Sequence, residues 1–244
     1  MSQLNPELSV IIPSYSKAKV IEETLLAVAQ EMQNLRIPFE IIVVVDGDVD
    51  QTSAILSSLG IEELTYHVNP VNRGKGNAIR LGVSLAKSEK YFALLDADLD
   101  LSPVTVGKAI DVLESQTRIG LVLGSKFHTD STNNYSQLRK IQSKAYSRLI
   151  AQLFDVGVTE TQTGIKIGRM PLLRTAIRET TTDGFAFDLE LLLELKKIGC
   201  KFHEISVVLN PGNATTVNLK TSAKALRETI IIYREYLAEQ KRKK

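Results

Sequence analysis

A single cysteine, Cys200, stands in this 244-residue chain, so no internal disulfide can staple the fold, and a reducing, intracellular setting fits. Histidine is scarce too. His67, His128 and His203 are scattered, which leaves no zinc-like cluster. A charge excess of one sign is missing: 30 Lys and Arg against 28 Asp and Glu give a formal net charge of +2. There is therefore no global basic field arguing for nucleic acid as a partner. Long apolar runs are absent as well. Residues 41–45 and 191–193 fall far short of the about 20 residues that a bilayer-spanning helix needs. Residues 1–7 lack a basic segment followed by an apolar run, so no secretory signal is expected. A chain of this kind is expected to lie in the cytoplasm, where it could rest against a membrane without crossing it.

What is present is the composition of an ordinary globular protein, 43% hydrophobic and 24% charged, with enough length to bury a large core. Short apolar segments alternate with stretches of helical spacing. Residues 8–13 precede a helix over 19–35, where Val20, Ile21, Leu25, Val28, Met32 and Leu35 share a face. Residues 39–45 precede a helix near 51–59, residues 64–68 precede one over 76–86, and residues 91–95 precede one over 103–114; residues 119–124 add a strand. Such alternation predicts right-handed crossovers and a mostly parallel, Rossmann-like sheet flanked by helices, within a single α/β domain spanning 1–244. Ligands of such sheets sit beyond the carboxyl ends of the strands.

Those ends carry polar loops. Pro13-Ser14-Tyr15-Ser16-Lys17 follows the first strand, Asp46-Gly47-Asp48-Val49-Asp50 the second, and Asn72-Arg73-Gly74-Lys75-Gly76-Asn77 opens onto the third helix. Free amides at that helix start, with Arg73 and Lys75, suit an anion such as a diphosphate, although no P-loop pattern is present. The fourth strand ends in Asp96-Ala97-Asp98-Leu99-Asp100, three carboxylates at alternate positions. Like charges this close call for a hard divalent cation, Mg or Mn, with oxygen ligands. An EF-hand loop is excluded, because its sixth and twelfth places hold Leu101 and Gly107. The plainer reading of the same stretch is a solvated acidic turn.

Together these loops resemble the nucleotide-binding half of a family 2 glycosyltransferase with the GT-A fold. The resemblance rests on Pro13 with Tyr15, Asp46-Gly47 with Asp50 and Thr52, Asn72 with Gly74-Lys75-Gly76 and Ala78, and Asp96-Ala97-Asp98 as the D-x-D motif. Further on, Gly124-Ser125-Lys126, Arg139 with Ser143, Glu160-Thr161-Gln162-Thr163-Gly164-Ile165-Lys166 and residues 187–191 are similar to the polyprenyl-phosphate (dolichyl-phosphate) branch. The resemblance implies a nucleotide-sugar half over about 8–125, an acceptor half over about 126–226, and a basic tail over 238–244. It implies that Pro13, Tyr15, Lys17 and Asp46 border the nucleotide, with Lys75 toward base or ribose, and that Asp96 and Ala97 meet the sugar nucleotide. Asp96, Asp98 and Asp100 would surround the metal, while Lys126, Arg139, Ser143 and Gln162 would receive the acceptor phosphate.

Three positions depart from the family pattern. Ser16-Lys17 replaces the usual Asn-Glu, Val45 replaces the first Asp of D-D-G, and Lys126 replaces an Arg, losing its bidentate fork. In the second half, residues 136–155 form an amphipathic pattern with Arg139, Lys140, Lys144 and Arg148 off the apolar face, which suits either an anionic lipid surface or packing on the sheet. A helix over about 187–198 carries Asp188 and Glu190 in its first turn, where carboxylates favour the helix dipole. Residues 201–209 read as a late strand, the loop to Lys220 as a flap over the diphosphate, and 223–237 as a last helix.

The expected reaction is inverting, metal-dependent hexose transfer from a nucleoside-diphosphate sugar of the GDP-mannose or UDP-glucose class to a polyprenyl phosphate, with a membrane-anchoring subunit as a further partner. Asp98, Lys126, Arg139 and Asp188 are the expected catalytic residues. An ionised phosphate nucleophile needs no strong base, whereas a sugar hydroxyl would, and Asp188 is the first base to test for that alternative. A catalytically weak nucleotide-sugar-binding protein is a further alternative. A sugar-phosphate nucleotidyltransferase is disfavoured, because Pro13-Ser14-Tyr15-Ser16 is not the Gly- and Arg-rich loop it would carry.

Overall fold

The computed structural model describes residues 5–98, 100–126, 128, 146–208 and 219–242. Strand β1 (Leu8–Ser14), nearly all of whose side chains are buried, lies between β2 (Phe39–Asp46) and β4 (Tyr91–Leu95). All three run parallel, with Leu8 in register with both Phe39 and Tyr91. Runs of Val, Ile and Leu without alternation are what a sheet covered on both faces requires. Beside β2 lies β3 (Leu64–Asn69), an edge strand whose side chains are mostly exposed.

The crossovers supply the cover. Helices α1 (Ile21–Asn34), α2 (Thr52–Ser58) and α4 (Val104–Ser115) face one side, where Leu25, Met32, Leu56, Val106 and Leu113 pack on Val10, Ile12, Val43 and Ala93. Helix α3 (Lys75–Leu85) covers the other, with α6 (Met170–Ile177) and α7 (Phe187–Lys197), through Ile79, Leu173, Phe187 and Leu191 against Ile11, Val44, Phe92 and Leu94. Successive residues of each strand thus feed opposite cores, as a period of two demands. A helical stretch over 146–153, α5, and the long α8 (Leu219–Arg242) extend that second core through Ile150, Phe154 and Ile232.

The sheet is completed by β5 (Ile119–Ser125), β6 (Ile165–Arg169) and β7 (Lys201–Ser206) in the order β3-β2-β1-β4-β6-β5-β7. Strand β6 is antiparallel to both neighbours and separates β4 from β5. This insertion sets Lys166 in register with Leu94 on one side and Leu123 on the other. A residue far along the chain is thereby carried to the end of β4, where the acidic triplet begins.

Element boundaries move by a few residues from the sequence reading, and α8 runs longer than expected, from Leu219 to Arg242. The amphipathic stretch over 136–155 is described only from residue 146, and most of the expected flap, 209–218, lies outside the described residues. Arg139 and Ser143 fall outside them too.

Candidate active site

Two kinds of carboxylate meet at the carboxyl edge of the sheet. The first kind holds backbone. Asp46, at the end of β2 and 3% exposed, accepts from the amides of Arg73 (3.0 Å) and Gly74 (2.6 Å) and from Asn69 Nδ2 (2.9 Å). Asp50 accepts from the amide of Ala18 (2.8 Å) and from the amide and hydroxyl of Thr52, which ties the first loop to the second. Those bonds hold its carboxyl below the usual range against the upward push of burial. Glu190 accepts from the amides of Thr181 and Thr182, and Glu228 of α8 from that of Ala186.

This arrangement changes two expectations. Three amides at the start of α3 are engaged: Arg73 and Gly74 donate to Asp46, and Gly76 donates to the carbonyl of Asp183 at 2.8 Å. Asp46, expected to border the nucleoside, is buried and clamps that loop. Gly74 is required there, since its φ is +110° and a Cβ would sit 2.2 Å from the carbonyl oxygen of Asp183.

The second kind of carboxylate is held by lysine. Lys75, the first residue of α3, reaches over the sheet edge so that its Nζ lies 3.0 Å from Asp96 Oδ1 and 3.0 Å from Asp188 Oδ2. Lys166, with a side chain only 2% exposed, donates to Asp188 Oδ1 at 2.7 Å and to the carbonyl of Thr163 at 2.6 Å. A chain Asp96–Lys75–Asp188–Lys166 therefore floors the cleft, lined also by Pro13, Ile79, Leu94 and Gly164. Burial alone would lower the Lys75 ammonium, but Asp188 and Asp96 overcome it and hold the group above the usual lysine range. Burial pushes Lys166 the other way, below its ordinary range, with Asp188 only partly offsetting it. Burial raises Asp96, yet the Lys75 charge, with Lys166 and Lys126 adding to it, leaves its carboxyl below the usual range.

Lys75, expected toward base or ribose and as a cation for the departing diphosphate, bridges two acids at the end of β4 with its ammonium. Asp188 was the first base to test for a hydroxyl acceptor, yet both of its oxygens already accept from ammonium groups. Two acids of the triplet pair with different lysines. Asp96 turns to Lys75, while Asp98 turns to Lys17 of the first loop at 3.0 Å. Among the described residues no three acidic, histidine or cysteine groups gather closely enough to hold a metal ion by themselves. Asp96 and Asp98 still offer hard oxygens of the type Mg and Mn prefer, and an ion that takes most of its ligands from phosphate and water needs only one or two carboxylates. The donor set fits such an ion, with Asp100 next to it along the chain.

The remaining expected residues that the structure describes are placed variously with respect to the cleft. Pro13 lines it, Tyr15 is exposed on the first loop, and the carbonyl of buried Ala97 accepts from Thr24 of α1 at 3.1 Å. The charge of Lys126 acts on both Asp96 and Glu160, and its amide donates to Glu160 Oε2 at 2.7 Å. Gln162 donates to the Tyr146 hydroxyl and to the Phe185 carbonyl, each at 3.4 Å, so it links α5 to the loop before α7.

The profile of the family described as "Glycosyl transferase family 2" matches residues 9–179. The chain belongs to glycosyl transferase family 2. Among curated relatives, the dolichyl-phosphate beta-glucosyltransferase of Dictyostelium discoideum is 25% identical over 217 residues, covering 83% of this chain and 66% of that protein. This family 2 chain thus spans just under two thirds of that relative's length. Mannosyl-3-phosphoglycerate synthase from Rubrobacter xylanophilus superposes with a TM-score of 0.76 at 16% identity, over 97% of this chain and 75% of that one. Glucosyl-3-phosphoglycerate synthase from Mycobacterium tuberculosis, solved with Mn2+ and uridine-diphosphate-glucose, superposes at 0.68 and 19% identity, over 92% and 77%. These structures establish the fold, a GT-A glycosyltransferase fold.

Among the described residues, Lys166 is a charged member of this family 2 site that sequence reasoning passes over. It was quoted within a motif and given no part. Its signal was there to read: in Ile165-Lys166-Ile167 the two isoleucines enter the core under α4, so a period of two turns the lysine to the opposite, buried face. A buried lysine needs an anionic partner.

Proposed function

We propose that this chain transfers glucose from UDP-glucose to a polyprenyl phosphate, with inversion at the anomeric carbon and with Mg or Mn held at Asp96 and Asp98. The observation that carries the reading is the placement of Lys75 and Asp96 together at the carboxyl edge of the sheet, with a second buried lysine–aspartate pair behind them. The residues alone leave GDP-mannose and UDP-glucose both open as donors. The relative named for dolichyl-phosphate glucosylation and the fold neighbour solved with uridine-diphosphate-glucose favour glucose.

The chemistry asks for little covalent work. An oxygen of the acceptor phosphate forms a bond to the anomeric carbon, the bond from that carbon to the diphosphate breaks, and its electron pair leaves with UDP. A divalent ion, when bound, neutralises charge growing on the leaving diphosphate. Lys75 adds to that neutralisation from the protein side, and it is preorganised because Asp96 and Asp188 fix its ammonium before substrate arrives. By the family resemblance, Lys126, Arg139 and Ser143 are assigned to the attacking phosphate, which must approach the anomeric carbon in line with the leaving group. The phosphate is ionised near neutral pH and brings its own lone pair. A hydroxyl acceptor would need a general base, and Asp188, gripped by two lysines, is poorly disposed to be one.

A lipid acceptor sets the reaction at a membrane surface. No helix among the described residues is long and apolar enough to cross a membrane. Nucleotide release from UDP-glucose, UDP-galactose and GDP-mannose, with and without polyprenyl phosphate and with EDTA as control, tests the whole reading. Release that depends on UDP-glucose, lipid and metal together is expected. Equal release without lipid, or tight binding with no turnover, would overturn it.

A further inference from the structure

Lys17 is the sharpest departure from the family pattern, and it faces the D-x-D motif directly. Its Nζ lies 3.0 Å from Asp98 Oδ2, with side chains only 21% and 15% exposed. Both partners are fixed by backbone. Ser16 before it adopts a left-handed φ of 53°, the carbonyl of Lys17 accepts from the amides of Val20 and Ile21 at the start of α1, and the amide of Ala18 donates to Asp50. On the other side, Thr24 of the same helix holds the carbonyl of Ala97. The ammonium is therefore built onto Asp98 by the framework, and it does not reach it as a mobile surface side chain would.

We infer that Lys17 is an internal cation of the site that competes with a divalent metal for Asp98, so that metal capture is weak until the nucleotide diphosphate arrives. This rests on the reading of Asp96 and Asp98 as metal carboxylates and goes further, assigning a function to the substituted position. A carboxylate cannot give the same oxygen at full strength to an ammonium and to a metal, since each draws on the same charge. The incoming diphosphate offers the ammonium another anion and brings oxygen ligands for the metal. Metal and nucleotide should therefore bind with strong positive coupling, which a neutral residue at this position would weaken.

The experiment is Mn2+ titration followed by electron paramagnetic resonance, on the full chain with and without UDP. Wild type is compared with Lys17→Gln, Lys17→Met, Lys17→Arg and Asp98→Asn. The inference predicts that Lys17→Gln and Lys17→Met bind Mn2+ roughly tenfold tighter than wild type without UDP, a step of the size one lost ion pair produces. Lys17→Arg should keep the wild-type affinity, and the advantage of the neutral variants should shrink when UDP is bound. Unchanged Mn2+ affinity in both neutral variants, with Asp98→Asn abolishing binding, would overturn the role of Lys17 and leave the metal site standing. Absence of Mn2+ binding in every folded variant, with or without UDP, would overturn the metal reading and this inference with it. Circular dichroism of each variant identifies any that fails to fold, and the second neutral substitution then carries the comparison.

Discussion

The rim of the cleft and its floor use the same side chain for opposite ends. At the rim, Asp46, Asp50, Glu190 and Glu228 accept from backbone amides, which cannot move without unmaking a loop. On the floor, Asp96, Asp98 and Asp188 are met by the ammonium groups of Lys75, Lys17 and Lys166. An ammonium on a four-carbon stem can turn to another anion when one enters. The acids of the rim are thus committed to structure, and the acids of the floor remain able to exchange partners with a charged substrate.

The comparison can be broken most severely at Lys75. Replacing it in Lys75→Met should lower turnover by about 10³-fold, the scale of one preorganised charge in a transition state, while the loss of stability in chemical denaturation stays on the order of 2 kcal/mol, because Asp188 keeps Lys166. A large loss of stability with normal turnover would reverse its assignment from floor to rim. The converse substitution, Asp46→Ala, strands two amides and one side-chain amide. It should cost roughly 3 kcal/mol in urea unfolding, the sum expected for orphaned buried donors, and a variant as stable as wild type would remove the clamp from the account. Next, Lys166→Met takes one of two ammonium groups from buried Asp188 and should cost about 2 kcal/mol. An unchanged unfolding midpoint would show that Lys75 alone satisfies Asp188.

Glu160 stands between the two classes, since it accepts from the amide of Lys126 and also feels that lysine's charge. Burial raises its carboxyl above the usual 4.5, with Lys126 only partly offsetting it. A folded-state value above the unfolded one means that the ionised form costs stability at neutral pH, and that the cost vanishes as pH falls below about 4.5. Glu160→Gln keeps an acceptor for the amide of Lys126. It should therefore gain stability at pH 7, a gain that fades toward pH 4. A gain that grows on acidification would contradict the direction of the shift.

The parallel half of the sheet was legible because each buried strand there is an apolar run followed at once by a helix of clear period, as in residues 8–35 and 39–59. The antiparallel insertion of β6 was not. Five residues, Ile165–Arg169, carry no sign of which strands they will separate, and pairing between distant segments is settled by packing on both faces. The same limit explains the site. D-x-D could be placed at a strand end from order alone, and Lys75 at a helix start. Whether a carboxylate meets an amide or an ammonium depends on the loop it faces, so Asp46 and Asp96 looked alike in the chain and differ in the fold. Lys17 shows the reverse: as a departure from a pattern it was visible at once, but its partner became visible only when the first loop was seen lying across Asp98.

The most direct measurement of the central claim follows the sugar itself. Incubation of the protein with UDP-glucose labelled in the glucose, Mn2+ and a polyprenyl phosphate, followed by partition between water and organic solvent, reads where the glucose goes. The account predicts label in the organic phase as an acid-labile glycosyl phosphate, and its loss in Asp96→Asn. Label that stays in the aqueous phase as free glucose, or that reaches the lipid equally in Asp96→Asn, would contradict it.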